Sequence, residues 1–248
     1  MLLENRVILV TGGGRGIGAA ICRVLAREGA TVAVNYGQSA EKAEAVAAQC
    51  GNGARAYRAD VTDEADVKTM VDSLVSDLGR IDGVVNNAIA GSQNGAFGSL
   101  GWDGFQNMLD YNVKAVYNTV SAARPYFVTQ GGGRVVNIVT ELWNMCPSDW
   151  SMYAAGKGAM VGLSRSLAVE LGPENITVNM VAPGWMADEK VDTSSEGSKN
   201  FAKTIPLRVH GSADEIGNAC AFYFSHLAGY VTGTYLPVTG GRVTQAGM

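Results

Sequence analysis

Seven short apolar runs recur along the chain, each followed by a stretch long enough for a helix, and this rhythm constrains the fold more than any other feature. The runs are Val7 to Val10, Thr31 to Asn35, Ala54 to Ala59, Gly83 to Asn86, Arg134 to Val139, Thr177 to Val181 and Thr234 to Val238. They are nearly continuous in apolar residues instead of alternating, as strands covered on both faces are. Parallel strands require long crossovers, and the intervening segments supply them. The expected architecture is a single doubly wound α/β domain over residues 1–248, a parallel sheet flanked by helices.

The helical segments carry their own punctuation. Gly16 to Glu28 aligns Ile17, Ile21, Val24 and Leu25 on one stripe and stops at Gly29, a natural left-handed terminus. Ser39 to Gln49 has Ser39 as its expected cap, and Asp63 to Leu78 has Thr62, with Val67, Met70, Val71 and Leu74 at helical spacing. Longer helices are expected near Trp102 to Thr129 and Trp150 to Leu171. Pro183 to Lys203 is polar and rich in small residues, and it follows a strand end where ligands bind in such sheets. A mobile substrate lid is expected at about 184–203.

Composition narrows the function. A net charge of -4 with no basic run argues against nucleic acid as a partner. Cys22, Cys50, Cys146 and Cys220 are scattered without metal-ligand spacing, so reduced thiols and no metal are expected. No apolar stretch approaches the roughly 20 residues that span a bilayer, and the first residues do not read as a secretion signal. The expectation is a cytoplasmic protein without membrane attachment.

Directly after the first strand, Thr11-Gly12-Gly13-Gly14-Arg15-Gly16-Ile17-Gly18 opens a helix. Glycines allow a tight turn, close approach of backbone to a diphosphate and tight helix packing, so Gly12, Gly14, Arg15, Gly16, Ile17 and Gly18 are candidate dinucleotide contacts. The end of the second strand reads Val34-Asn35-Tyr36-Gly37 and lacks the carboxylate that would bond a ribose with free hydroxyls and repel a 2'-phosphate. Asn35 and Tyr36 are the candidates there. Arg15 either pairs with that phosphate or points to solvent. The balance favours NADP(H) over NAD(H).

Tyr153 and Lys157 lie four residues apart within a helical pattern and so share a face. An ammonium beside a phenol lowers the phenol's pKa, normally about 10, toward the range useful for proton transfer. On this reading Lys157 activates Tyr153.

Several motifs now coincide, and over essentially its whole length the chain resembles the short-chain dehydrogenase/reductase family, with its Rossmann fold. Thr11 to Gly18 resembles T-G-x-x-x-G-x-G, Asp60-Val61 the pair that contacts adenine, Asn86-Asn87-Ala88 the N-N-A, Tyr153 and Lys157 the Y-x-x-x-K, and Pro183-Gly184 the P-G. The resemblance implies an NAD(P)-dependent oxidoreductase in which Tyr153 exchanges a proton and Lys157 holds the nicotinamide ribose. It also implies that Asn87, Ala88, Pro183 and Gly184 line the cofactor. Asn112 aligns with an asparagine that fixes a water in a proton relay. Thr140 stands where the family's serine binds the substrate carbonyl, keeping the hydroxyl but adding a methyl.

Within the family, Val34-Asn35-Tyr36, Asn175-Ile176-Thr177-Val178-Asn179 and Tyr230-Val231-Thr232-Gly233 resemble the β-ketoacyl-acyl-carrier-protein reductases. Their carrier-docking arginines align with Gly131 and Glu174, which argues against a carrier-bound substrate. Ile89 replaces a glycine, Asp188 replaces a threonine, and Glu141-Leu142-Trp143-Asn144-Met145 replaces a small, glycine-rich stretch. Thr140, Leu142, Trp143, Met145, Tyr153 and Trp185 are the candidate substrate pocket, with Trp143 and Met145 alternatively filling core. The expected reaction is NADPH-preferring reduction of a ketone, either a 3-oxoacyl chain or a small or cyclic ketone, to a secondary alcohol. The alternatives are an NAD-linked polyol, sugar or secondary-alcohol dehydrogenase, and a non-catalytic NADP-binding sensor. The resemblance further implies a homotetramer or homodimer built on the two long helices.

Overall fold

A computed structural model describes residues 1–89, 94–99, 101–187 and 191–243. Asp188 and the tail from 244 onward lie outside the described residues. The strands are β1 (Val7–Val10), β2 (Thr31–Tyr36), β3 (Arg55–Arg58), β4 (Gly83–Asn86), β5 (Gly133–Ile138), β6 (Ile176–Pro183) and β7 (Tyr235–Val238). They form one parallel sheet in the order β3-β2-β1-β4-β5-β6-β7. Strand order reverses between β1 and β4, where the crossovers part to opposite faces and leave a crevice at the carboxyl ends.

The helices are α1 (Gly16–Arg27), α2 (Ala40–Cys50), α3 (Glu64–Leu78), α4 (Gly101–Leu109), α5 (Ala115–Thr129), α6 (Leu142–Met145), α7 (Ser151–Glu170), α8 (Glu196–Ala202) and α9 (Ala213–Phe224). A π-helical turn, Asp110–Lys114, joins α4 to α5. One core packs α3, α5 and α7 on one face of the sheet through Leu74, Phe127 and Met160, and another packs α1, α2 and α9 on the other through Ile21, Leu25 and Phe224. Strands sealed on both sides explain the unbroken apolar runs.

Two expected caps differ. Ser39 makes no side-chain cap bond. At α3 the cap is Asp63, whose carboxylate accepts from the amide of Asp66 at 2.9 Å, while the Thr62 hydroxyl donates to Asp60 at 2.7 Å. The residue one place later holds the capping geometry, and a carboxylate also suits the helix's positive end. Gly29 and Gly79 end α1 and α3 at positive φ, as expected. The segment expected as a lid contains α8, capped by Ser195.

Candidate active site

The glycine loop leaves β1 at the switch point. Gly12 has φ +62 and lies against Ala88, and a Cβ at Gly18 would stand 2.4 Å from the Gly12 carbonyl oxygen, so neither position accepts a side chain without rearrangement. α1 begins after an N-cap residue, Arg15, that makes no side-chain cap bond. Its N-terminal turn therefore suits diphosphate oxygens, and Arg15 is exposed beside it. Thr11 fastens the loop to β4: its hydroxyl accepts from the amides of Asn87 and Ala88 at 2.9 and 3.0 Å. Asn87 in turn donates to the Thr11 carbonyl at 2.9 Å.

Asn35 differs from its expected place at the adenosine. It is buried, accepts from the Gly12 amide at 3.2 Å and donates to the Ala59 carbonyl at 3.2 Å. A strand alternates its side chains, and this one points behind the loop, bracing it. Tyr36 is half-buried at the end of β2. Asp60 is exposed and accepts from Thr62, and the buried Val61 offers its carbonyl to Asn118 at 3.0 Å.

Asn86, first of the N-N-A, is also structural. It donates to Asn137 at 2.8 Å and accepts from Thr119 at 2.7 Å, and Asn137 donates to Ser164 at 2.7 Å. This chain of buried polar groups ties β4 and β5 to α5 and α7. The motifs shared with carrier-protein reductases are stitches of the same kind. Asn179 bonds the Val231 carbonyl at 2.9 Å and the Thr234 hydroxyl at 2.8 Å, and Thr232 accepts from the Val178 amide at 3.0 Å.

The candidate proton-transfer groups converge at the carboxyl ends of β4, β5 and β6. Tyr153 and Lys157 sit in the first turns of α7, and the Thr140 hydroxyl is near enough to the Tyr153 phenol to pull its pKa down. Thr140 also accepts from the Leu142 amide at 3.2 Å. Lys157 is only 2% exposed and donates to the Ile138 carbonyl at 2.7 Å. Burial pulls its ammonium down to about 7. The expected activation of Tyr153 by Lys157 is not what the protein alone produces. Burial pushes the phenol up, Thr140 is the group that opposes it, and the ammonium lies 6.0 Å from the ring centroid. Sequence proximity signals attraction, whereas desolvation of both groups dominates.

Asn112 lies within the π turn, fully buried, donating to the Met108 carbonyl at 2.7 Å while its Oδ1 has no partner. Gly156 of α7 lies directly against it, since a Cβ there would stand 3.1 Å from Asn112 Nδ2. A buried acceptor left over beside the proton-transfer groups suits an ordered water.

The substrate wall departs from expectation in part. Met108, Met152 and Tyr153 form a small cluster with Ile89, Phe105, Tyr111, Leu142 and Trp150 against it. Leu142 thus packs beside Tyr153. Trp143 packs in the larger core, 5.9 Å from Tyr235 and against Gly158, because the first turn of α6 turns it under the loop. Met145 is exposed, and Trp185 sits at the rim against Phe201 and His210, with ring centroids at 4.4 and 5.4 Å. Trp150, edge-on to Tyr153 at 5.4 Å, was not singled out from the sequence, although it lies one turn before that tyrosine. Cys146 and Asp149 adopt left-handed backbone at φ 44 and 66, which holds the loop between α6 and α7 in a strained shape. Another concavity, of about 210 Å³, opens at the other end of the strands among Arg6, Arg80, Asp82 and Arg134, away from Tyr153.

Comparison with known proteins agrees with this geometry. A family model described as enoyl-(acyl carrier protein) reductase matches residues 12–242. The 3-oxoacyl-[acyl-carrier-protein] reductase FabG of Staphylococcus aureus is 38% identical over 239 residues, covering 94% of this chain and 96% of that protein. A short-chain dehydrogenase from Burkholderia cenocepacia, solved in complex with NADP, has a TM-score of 0.88 at 35% identity, covering 98% of this chain and 99% of that one. A blue fluorescent protein from a metagenomic library, solved in complex with NADPH, gives 0.86 at 33% identity, covering 98% and 100%.

Proposed function

The chain belongs to the short-chain dehydrogenase/reductase family of NAD(P)-dependent oxidoreductases, and we propose that it uses NADPH in preference to NADH to reduce a ketone to a secondary alcohol. The observation that carries the direction is the Tyr153 phenol, buried beside Thr140 and held above its ordinary pKa by that burial. At neutral pH it keeps its proton, which suits a donor to a forming alkoxide.

The residues present fit the dinucleotide. The start of α1 and the glycine loop would hold the diphosphate, Asp60 and Val61 the adenine side, and Asn87, Ala88, Pro183 and Gly184 the nicotinamide half. Arg15 together with the absence of a carboxylate at the end of β2 favours a 2'-phosphate. The relatives solved with NADP and NADPH support the same preference. When bound, the cofactor supplies a hydride from nicotinamide C4. Lys157 orients the ribose hydroxyls. Thr140 and Tyr153 hold the carbonyl oxygen between two hydroxyls, Tyr153 delivers its proton there, and Asn112 keeps a water that refills it. Fixing these groups in advance removes orientational entropy and stabilises charge developing on oxygen.

The wall of Ile89, Phe105, Leu142, Met152 and Trp150 suits a small or flat ketone. A carrier-bound chain is disfavoured, because Glu174 is paired with Arg124 and Gly131 offers no side chain to an acidic partner. The segment at about 184–203 acts as the lid, and Trp102, Tyr117 and Val169, exposed on α4, α5 and α7, suit assembly into a homotetramer or homodimer.

The test is NADPH oxidation across small, cyclic and 3-oxoacyl ketones, with Tyr153→Phe alongside. Turnover of at least one ketone is expected, and the variant should lose about 10²–10⁴-fold in kcat while binding NADPH normally. Binding without oxidation of any ketone would indicate a sensor, and faster turnover with NADH would overturn the cofactor preference.

A further inference from the structure

Glu141 follows Thr140 directly, yet the sequence gives no reason to assign it a role. It is 2% exposed, and its Oε1 accepts from Arg242 at 2.6 Å across 101 positions of chain. Its Oε2 is buried without a partner and lies beside Gly184, where a Cβ would stand 3.5 Å from it. The Glu141 amide donates to the Pro183 carbonyl at 3.1 Å, fastening the Thr140 loop to the end of β6. Arg242 in turn lies over the Phe201 ring of α8, 4.5 Å from its centroid, and Phe201 packs on Trp185 and His210. A single carboxylate thus connects the loop bearing Thr140, the start of the lid, the turn after β7 and α8.

Stability alone does not account for this arrangement. Burying a carboxylate removes it from water, one guanidinium offsets only part of that penalty, and an apolar pair of similar volume packs as well. Burial accordingly pushes the Glu141 carboxyl up despite Arg242. What the pair does provide is a fixed distance between Thr140 and α8, with the planar guanidinium bonding on one edge and stacking by its face.

We propose that the Glu141–Arg242 pair is a latch that ties α8 to the loop bearing Thr140, and that Glu141 is a positioning residue for the substrate. The kinetic part rests on the ketone reductase reading, so the test adds a readout that needs no turnover. Glu141→Gln, Arg242→Met and Arg242→Lys are compared with the wild type in the full chain. Steady-state kinetics are measured with NADPH and a reduced ketone, and hydrogen exchange is followed in peptides covering 194–203.

The expected result for Glu141→Gln and Arg242→Met is a KM for ketone raised about tenfold, with kcat and the KM for NADPH within threefold of wild type. Exchange in α8 should accelerate about tenfold. Arg242→Lys, which keeps the charge but not the planar stack, should fall between. The latch is refuted if exchange in α8 matches wild type in both charge-removing variants, or if both KM values and kcat change together in step with melting temperature. If the wild type reduces no ketone, the functional reading fails, and unchanged or accelerated exchange still decides the latch.

Discussion

Replacing Lys157 with methionine should make the protein more stable while removing its activity. The folded chain holds this ammonium at about 7 against 10.5 for a free lysine. At about 1.36 kcal/mol per pH unit, the difference corresponds to roughly 4–5 kcal/mol of charging penalty at pH 7. The sign follows from the order of the two values. Between about 7 and 10.5 the unfolded chain binds the proton more readily than the folded one, so wild-type stability rises with pH across that window and levels off below it. Methionine fills similar volume without the charge but strands the Ile138 carbonyl, which now accepts from Lys157 at 2.7 Å, at about 1–3 kcal/mol. The net expectation at pH 7 is a gain of roughly 2–3 kcal/mol, or about 5–10 °C in melting temperature for a chain of this length. Cofactor-free urea unfolding of both proteins at matched concentration, from pH 7 to pH 9.5, measures it. The advantage should shrink by about 1.4 kcal/mol per pH unit and be gone near the upper end. A variant less stable than wild type at pH 7, or a difference that ignores pH, would refute the reasoning, because the lysine would then be charged and well solvated.

Three further outcomes are expected. Arg15→Ala should reduce the preference for NADPH over NADH by about 10–150-fold, since one charge-assisted bond to phosphate contributes about 1.5–3 kcal/mol; an unchanged ratio of kcat/KM would show that Arg15 points to solvent. Asn86→Ala should destabilise by about 1–3 kcal/mol by orphaning Asn137 and Thr119, read as a shift in urea midpoint with the KM for NADPH unchanged; a raised KM at full stability would refute the structural role. Sedimentation equilibrium should show a tetramer or dimer at micromolar concentration, and a monomer throughout would leave Trp102, Tyr117 and Val169 without the partner assigned to them.

Strand positions were legible because strands sealed on both faces need unbroken apolar runs, and every expected run became a strand with ends shifted by only a residue or two. Tyr153, Lys157 and the glycine loop were legible because their spacing is local. The asparagines were harder. Asn35 and Asn86 occur in motifs associated with the cofactor, yet their partners lie far along the chain, and only tertiary structure separates a brace from a binding group. Glu141 and Arg242 were invisible as a pair for the same reason. The π turn at Asn112 has no pattern of its own, because a single widened turn leaves hydrophobic periodicity almost unchanged. The direction of the Tyr153 shift was misread because adjacency in sequence says nothing of how much water each group loses.

The two cores have a consequence for how faults spread. The glycine loop opens into α1 on one side of the sheet and Tyr153 rides α7 on the other, so their relative placement is set through the strands between the two cores. Val85 of β4 and Val136 of β5, paired in register in the core on the α1 side, belong to that path. A methylene added or removed there, touching neither ligand, would detune the reaction as a warped ruler spoils a measurement.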